Sequence, residues 1–185
     1  MPKIPAHATC VFRGILFDVY HWEQELFDGS TTTFEAIERL PSVQLLATTS
    51  DDRLVLLREE QPYVGSFVSL PGGQVERGMT PEQAARNELL EELGMECEAL
   101  VLWQEKVLSS AIHWVSYDFI ARRCRRVQAP QQEPGEKIEP FLVTFDEFLS
   151  EVDGTRFRNP RLADALFRMR HTAGELDEFR ALLFD

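Results

Sequence analysis

The stretch from Leu70 to Met95 constrains this chain most. It passes from a short apolar segment, Ser66 to Leu70, through Pro71-Gly72-Gly73 and into a helix whose two ends are written in the sequence. Thr80 is an N-cap residue whose hydroxyl can accept from the first turn. Gln83 stands at capping-box spacing, and Pro81 takes the first helical position. Ala84, Ala85, Leu89 and Leu93 recur at helical intervals, and Gly94 supplies the stop. The predicted helix is Pro81 to Leu93. Glu88, Glu91 and Glu92 lie on it three and four residues apart, so Glu88 neighbours both of the others. Carboxylates this close repel one another unless they are solvated, paired or bound to a cation. As hard oxygen donors they suit magnesium or manganese. The same spacing fits a solvated face on which Arg86 offsets part of the charge. The glycines ahead of the helix let backbone carbonyls and a ligand approach closely, which favours the cation.

Around this helix the pattern is of short strands. Cys10 to Tyr20 reads as one strand. Glu25 to Phe27 ends at the turn signal Asp28-Gly29, and Thr31 to Leu40 reads as a strand interrupted by Pro41. Val43 to Thr49 and Arg53 to Leu57 form a hairpin about Asp51-Asp52. Ala99 to Leu108 and Trp114 to Ala121 are long strands around a turn at Ser109-Ser110. Gln128 to Lys137 is a polar loop holding Pro130, Pro134 and Gly135, and Ile138 to Val143 is a last strand. Phe145 to Val152 is a short helix. Asn159-Pro160 opens another, with Leu162, Leu166 and Met169 on one side, and Glu175 to Leu183 extends a helical tail.

The 185 residues suit one domain with a small N-terminal addition, and 44% hydrophobic content supports a sizeable core. A net charge of −12, from 31 acidic and 19 basic residues, repels nucleic acid phosphates over most of the surface, so no stable nucleic acid partner is expected. Cys10, Cys97 and Cys124 are far apart in the chain, show no Cys-x-x-Cys spacing and point to a reducing compartment. No apolar signal core follows Met1, and no apolar run reaches about 18 residues. The expectation is a soluble cytoplasmic protein without a membrane partner.

Gly73 to Met95 resembles the signature of the Nudix hydrolase family, G-x5-E-x7-R-E-U-x-E-E-x-G-U with U aliphatic. Gly73 matches the first Gly, Glu88 the Glu after Arg, Leu89 the aliphatic position, Glu91 and Glu92 the paired acids, and Gly94 and Met95 the end. Leu70-Pro71-Gly72 and Glu76-x-Gly78 also look like the family. Two positions depart: Met79 stands where the family has Glu, and Asn87 where it has Arg. In the family these residues support each other and help hold the loop on the helix. Their joint loss leaves neither charge without a partner, and is more consistent with an altered scaffold than with a destroyed metal site.

From Cys10 to Ala173 the chain is similar to the branch that cleaves ADP-ribose and nucleoside diphosphate sugars. That resemblance implies an α/β fold, a Nudix-like α/β/α sandwich with a mixed sheet and an N-terminal antiparallel β extension. Residues 1–41 would serve dimerisation and extend the substrate site, and residues 42–185 would be the catalytic domain with C-terminal helices. The implied reaction is magnesium-dependent hydrolysis of a diphosphate linkage in a homodimer, giving a nucleoside monophosphate and a sugar phosphate. Manganese is the alternative cation.

The implied metal ligands are Glu88, Glu92 and the Gly72 carbonyl, with Glu91 a further ligand or a residue that positions water. A general base is expected in the loop before Ile138: Glu136 by its place, or Glu133. Phe34, Tyr20 or Trp22 can stack on a base, or belong to core or interface. Arg58 can contact phosphate, or pair with a neighbouring Glu. Gln61 stands where relatives often carry Arg, which leaves base and sugar open. Arg122, Arg123, Arg125 and Arg126 fit a solvated turn. The competing functions are a nucleotide-binding regulator on the same scaffold and a nucleoside triphosphate pyrophosphatase.

Overall fold

The computed structural model describes residues 4–107, 112–131 and 137–185. The N-terminal strands are β1 (Thr9–Arg13), β2 (Asp18–Glu25) and β3 (Thr31–Glu38). They are followed by β4 (Ser42–Thr49), β5 (Leu54–Gln61), β6 (Gly65–Ser69) and the helix α1 (Pro81–Leu93). Next come β7 (Met95–Glu96), β8 (Ala99–Val107), β9 (Ile112–His113), β10 (Val115–Arg126) and β11 (Lys137–Val143). Three helices close the chain: α2 (Phe145–Val152), α3 (Pro160–Arg170) and α4 (Glu175–Phe184).

The strands form two sheets. One has the order β1-β2-β3-β9. The other runs β11-β5-β4-β10-β7, with β6 on β5 and β8 on β10. In the second sheet β4 and β10 pair in parallel while the remaining pairs are antiparallel, so the sheet is mixed. β4 is apolar on both sides because both sides are covered. Val43, Leu45 and Ala47 face Ala84, Ala85, Leu89 and Leu93 of α1. Leu46 faces the opposite way, in a cluster with Phe148 of α2, Leu162 and Leu166 of α3, and Phe179 and Leu183 of α4. The result is the expected α/β/α sandwich with antiparallel strands at the N-terminus.

Three strand boundaries differ from the sequence reading. Cys10 to Tyr20 is two strands, reversed at Gly14, whose N–H donates to the Phe17 carbonyl at 2.9 Å. A Cβ on Gly14 would lie 2.7 Å from that same oxygen, so the turn needs glycine. β5 continues past Leu57 to Gln61 because both its neighbours, β6 and β11, supply ladder partners for the charged end. β10 continues past Ala121 through the arginines. Arg122 Nε donates to the Leu182 carbonyl at 3.0 Å, and Arg123 and Arg125 lie 3.7 and 4.0 Å from Glu98 and Glu96. These arginines are therefore placed by strand pairing and helix docking. The expected turn at Ser109-Ser110 and residues 132–136 of the polar loop lie outside the described residues.

Candidate active site

The Gly-rich loop is held against β4 by backbone hydrogen bonds. Leu45 N–H donates to the Pro71 carbonyl at 2.8 Å, Val43 N–H to Gly73 at 2.9 Å, and Val75 N–H to Pro41 at 2.8 Å. Val75 is buried in the α1-side core and pins the loop from below. The approach is close enough to demand glycine at two positions. A Cβ on Gly72 would collide with the Val43 carbonyl oxygen, and a Cβ on Gly73 would collide with the Glu88 carboxylate.

Helix α1 is oriented over this loop by its caps. Thr80 N–H donates to Gln83 Oε1 at 2.9 Å, and Gln83 N–H donates to Thr80 Oγ1 at 3.2 Å, which is the reciprocal capping box. At the other end Gly94 adopts the left-handed conformation, with φ of 62°. With Ala84, Ala85, Leu89 and Leu93 buried, Glu88 and Glu92 fall at the margin of the buried face that looks toward the loop. Glu92 Oε2 accepts from Gly72 N–H at 2.8 Å, and the Glu88 carboxylate lies against Gly73. Glu91 is exposed, and its backbone carbonyl accepts from Gln131 N–H at 2.7 Å, drawing the loop after β10 onto the end of the helix. Two of the three expected carboxylates therefore converge on Gly72-Gly73.

The two residues that depart from the signature meet. Asn87 Nδ2 donates to Met79 Sδ at 3.7 Å, and Met79 also packs against the α1-side core. A weak polar contact plus apolar packing thus joins loop to helix at the positions where the family uses charge.

The remaining candidates are spread over three regions. Trp22 and Phe34 face each other across β2 and β3, with ring centroids 5.8 Å apart and an interplanar angle of 61°. Tyr20 is on the same strand as Trp22 and lines a cavity with Arg39 and with Arg77 of the Gly-rich loop. Its phenol is raised above its ordinary pKa, first by its hydrogen bond with Glu38 and then by burial. Arg58 follows Leu54 and Leu56 in the strand alternation and lies on the sheet face away from α1, 3.9 Å from the Phe141 ring. There it lines a cavity of about 800 Å³ with Lys137 and Arg156. That cavity shares no lining residue with Pro71–Gly73 or α1. Glu133 and Glu136 lie outside the described residues.

Sequence reading passed over Glu59 and Arg39. Glu59 continues the Val55-Leu57 alternation on the α1 side and accepts a hydrogen bond from the Ser69 hydroxyl, immediately before the Gly-rich loop. Arg39 is stacked on Trp114, with its guanidinium 4.1 Å from the ring. Nothing in the local sequence around Arg39 announces that contact.

Among the described residues no group of three His, Cys, Asp or Glu side chains forms a ready-made metal cage. The donor set still suits magnesium. That ion keeps several waters and is held by one or two carboxylates together with substrate phosphates, which is what Glu88 and Glu92 offer beside a backbone turn. Among the described residues no helix is long and apolar enough to cross a membrane.

The NUDIX domain family matches residues 38–165. The "ADP-ribose pyrophosphatase" of Bacillus subtilis (strain 168) is 24% identical over 159 residues, spanning 84% of this chain and 86% of that protein. The "Methanol dehydrogenase activator" of Bacillus methanolicus is 31% identical over 160 residues, again 84% of this chain and 86% of the relative. A solved structure described as "Crystal structure of ADP compounds hydrolase" matches with a TM-score of 0.73 at 21% identity, over 90% of this chain and 91% of that one. This likeness shows a shared fold.

Proposed function

This chain belongs to the NUDIX family, whose general chemistry is phosphoanhydride hydrolysis, and from that premise we propose that it cleaves the diphosphate of ADP-ribose or another nucleoside diphosphate sugar. The observation that carries the reading is the convergence of Glu88 and Glu92 on Gly72-Gly73. Glu88, Glu92 and the Gly72 carbonyl would hold magnesium or manganese, with Glu91 a further ligand or a residue that positions water. The bound cation would neutralise the diphosphate and lower the pKa of water.

The chain's own groups do the rest. Glu136, or Glu133 in its place, takes the proton of the attacking water. The water oxygen bonds to phosphorus, the bridging P–O bond breaks, and a nucleoside monophosphate and a sugar phosphate leave. Tyr20, Trp22 and Phe34 offer rings for the base, whereas Arg58 lines a cavity on the opposite sheet face and is left out of the proposed site. The ADP-ribose assignment is supported by the name of the Bacillus subtilis relative, which aligns over most of both chains.

The test is a magnesium-supplemented screen of ADP-ribose, other sugar nucleotides, dinucleotides and triphosphates, with products identified by mass. Cleavage of a diphosphate-linked compound that stops on chelation is the expected result. Pyrophosphate released from a triphosphate alone, or turnover indifferent to chelation, overturns the proposal. A second reading is favoured by the neutral Met79–Asn87 contact: a nucleotide-binding regulator, signalled by tight nucleotide binding without turnover of any class.

The same reading makes residues 1–41 a dimerisation and substrate-site extension of a catalytic unit spanning residues 42–185. Supporting it, Phe12, Ile15, Leu16 and Phe34 of the N-terminal strands and their turn are exposed apolar side chains in the single chain. Light scattering is expected to give the mass of a homodimer, and truncation before Ser42 to damage it. A monomer mass at all working concentrations rejects the dimer.

A further inference from the structure

We propose that the cavity between the N-terminal sheet and the Gly-rich loop is a second phosphate-binding site, separate from the site of the scissile diphosphate, with Arg13, Arg39 and Arg77 as its ligands. The cavity has a volume of about 490 Å³. It is assembled from three distant stretches: the β1–β2 turn, the end of β3, and the loop that carries Gly72-Gly73. Its lining includes none of Gly72, Glu88 and Glu92.

Arg39 is the centre of the site. Its guanidinium lies 4.1 Å from the Trp114 ring and 5.7 Å from the Phe17 ring, so it rests against two aromatics. Its Nε is buried and has no hydrogen-bond acceptor among the described residues. Burial lowers its pKa from the ordinary arginine value. Leaving such a donor unmatched is destabilising. Among the described residues neither Arg39, Arg13 nor Arg77 forms an ion pair.

Two carboxylates share the lining. Glu38 is already engaged by the Tyr20 phenol and by His113, whose Nδ1 is 3.4 Å away. Asp18 stands opposite Arg13 in the β1–β2 ladder. Three guanidinium groups against these two acids leave room for a phosphoryl dianion. Guanidinium forks match its oxygens better than point cations do.

A phosphate bound there would connect the N-terminal sheet to the loop. Arg77 is two residues from Val75, whose N–H donates to the Pro41 carbonyl at 2.8 Å. Two sources share this chemistry: an additional phosphomonoester on the substrate, or free phosphate acting on the loop.

The direct test is titration of inorganic phosphate into the metal-free full chain, followed by calorimetry and by tryptophan fluorescence, since Trp114 underlies Arg39. Saturable one-site binding is expected. Arg39→Gln and Arg77→Gln should each weaken it about tenfold or more, and Glu92→Gln should leave it unchanged. Arg39 is packed against two rings, so Arg77→Gln, at an exposed loop position, keeps the test readable if Arg39→Gln unfolds. No saturable binding, equal binding in wild type and Arg77→Gln, or loss in Glu92→Gln overturns the site.

The sources separate in turnover. A phosphomonoester added to a sugar nucleotide that lowers KM in wild type but not in Arg77→Gln assigns the site to substrate. Inorganic phosphate that changes kcat in wild type but not in Arg77→Gln assigns it to a free anion. The binding arm does not need diphosphate cleavage, so its failure is distinct from failure of the proposed reaction.

Discussion

Glu92→Gln is expected to lower kcat by roughly two to four decades while the fold survives. A bound cation contributes several kcal/mol of charge stabilisation in the transition state, and each 1.36 kcal/mol is about one decade in rate. Removing one of the two carboxylates proposed to hold it would forfeit much of that. Stability should change little, because Glu92 is only half-buried at the edge of α1 and the amide oxygen of glutamine can still accept from Gly72 N–H. Substitutions of this kind usually stay within about 0.5 kcal/mol. Turnover of the favoured diphosphate substrate and the urea unfolding midpoint, measured on the same preparation, check both halves. A normal kcat would remove Glu92 from the ligand set, whereas a collapsed midpoint would make the residue structural.

Gly72→Ala and Gly73→Ala should both abolish most activity but differ in what they do to the fold. At Gly73 the new methyl meets the Glu88 carboxylate, the far end of a flexible side chain. Displacing a side-chain end disturbs the fold less than displacing backbone, and it moves a carboxylate proposed to hold the cation. At Gly72 the methyl meets the Val43 carbonyl oxygen and comes within 3.0 Å of Gln44 Cα. These atoms belong to the backbone of β4, buried between both helical layers, and cannot yield cheaply. Overpacking of this sort destabilises by roughly 1–3 kcal/mol. Differential scanning calorimetry should therefore show a larger loss of Tm for Gly72→Ala than for Gly73→Ala. Equal Tm losses in the two variants would tie the Glu88 carboxylate to the packing of the loop as firmly as the β4 backbone.

Helix α1 was fully legible from sequence, and its observed bounds are Pro81–Leu93 as predicted. Its cap, its first-turn proline, its apolar period and its terminal glycine all act within one or two turns, so each is encoded beside the residue it governs. The Asp28-Gly29 turn is local in the same way, with Ser30 N–H and hydroxyl both bonded to Asp28 Oδ1. The adjacency of Met79 and Asn87 was implied by the family resemblance. The 3.7 Å contact gives it a physical form that the resemblance did not.

Other features came only from long-range packing. The continuation of β10 through its arginines depends on what the segment pairs with, and those partners, Glu96 and Leu182, are remote in sequence. The orientation of β5 is the clearest case. Leu54, Val55, Leu56 and Leu57 are all buried, so the strand carries no polar–apolar alternation to mark its faces. Sequence could name Arg58 as a phosphate contact and pass over Glu59, because a strand covered on both sides gives no sign of which side the catalytic helix takes. Only the docking of α1 against Val55 and Leu57 turned Glu59 toward the Gly-rich loop and Arg58 away from it. The chain alone determined the acidic helix and its glycine loop because those are local. The tertiary structure decided which side chains share a surface with them, because a strand's two faces become different only when something packs on one of them.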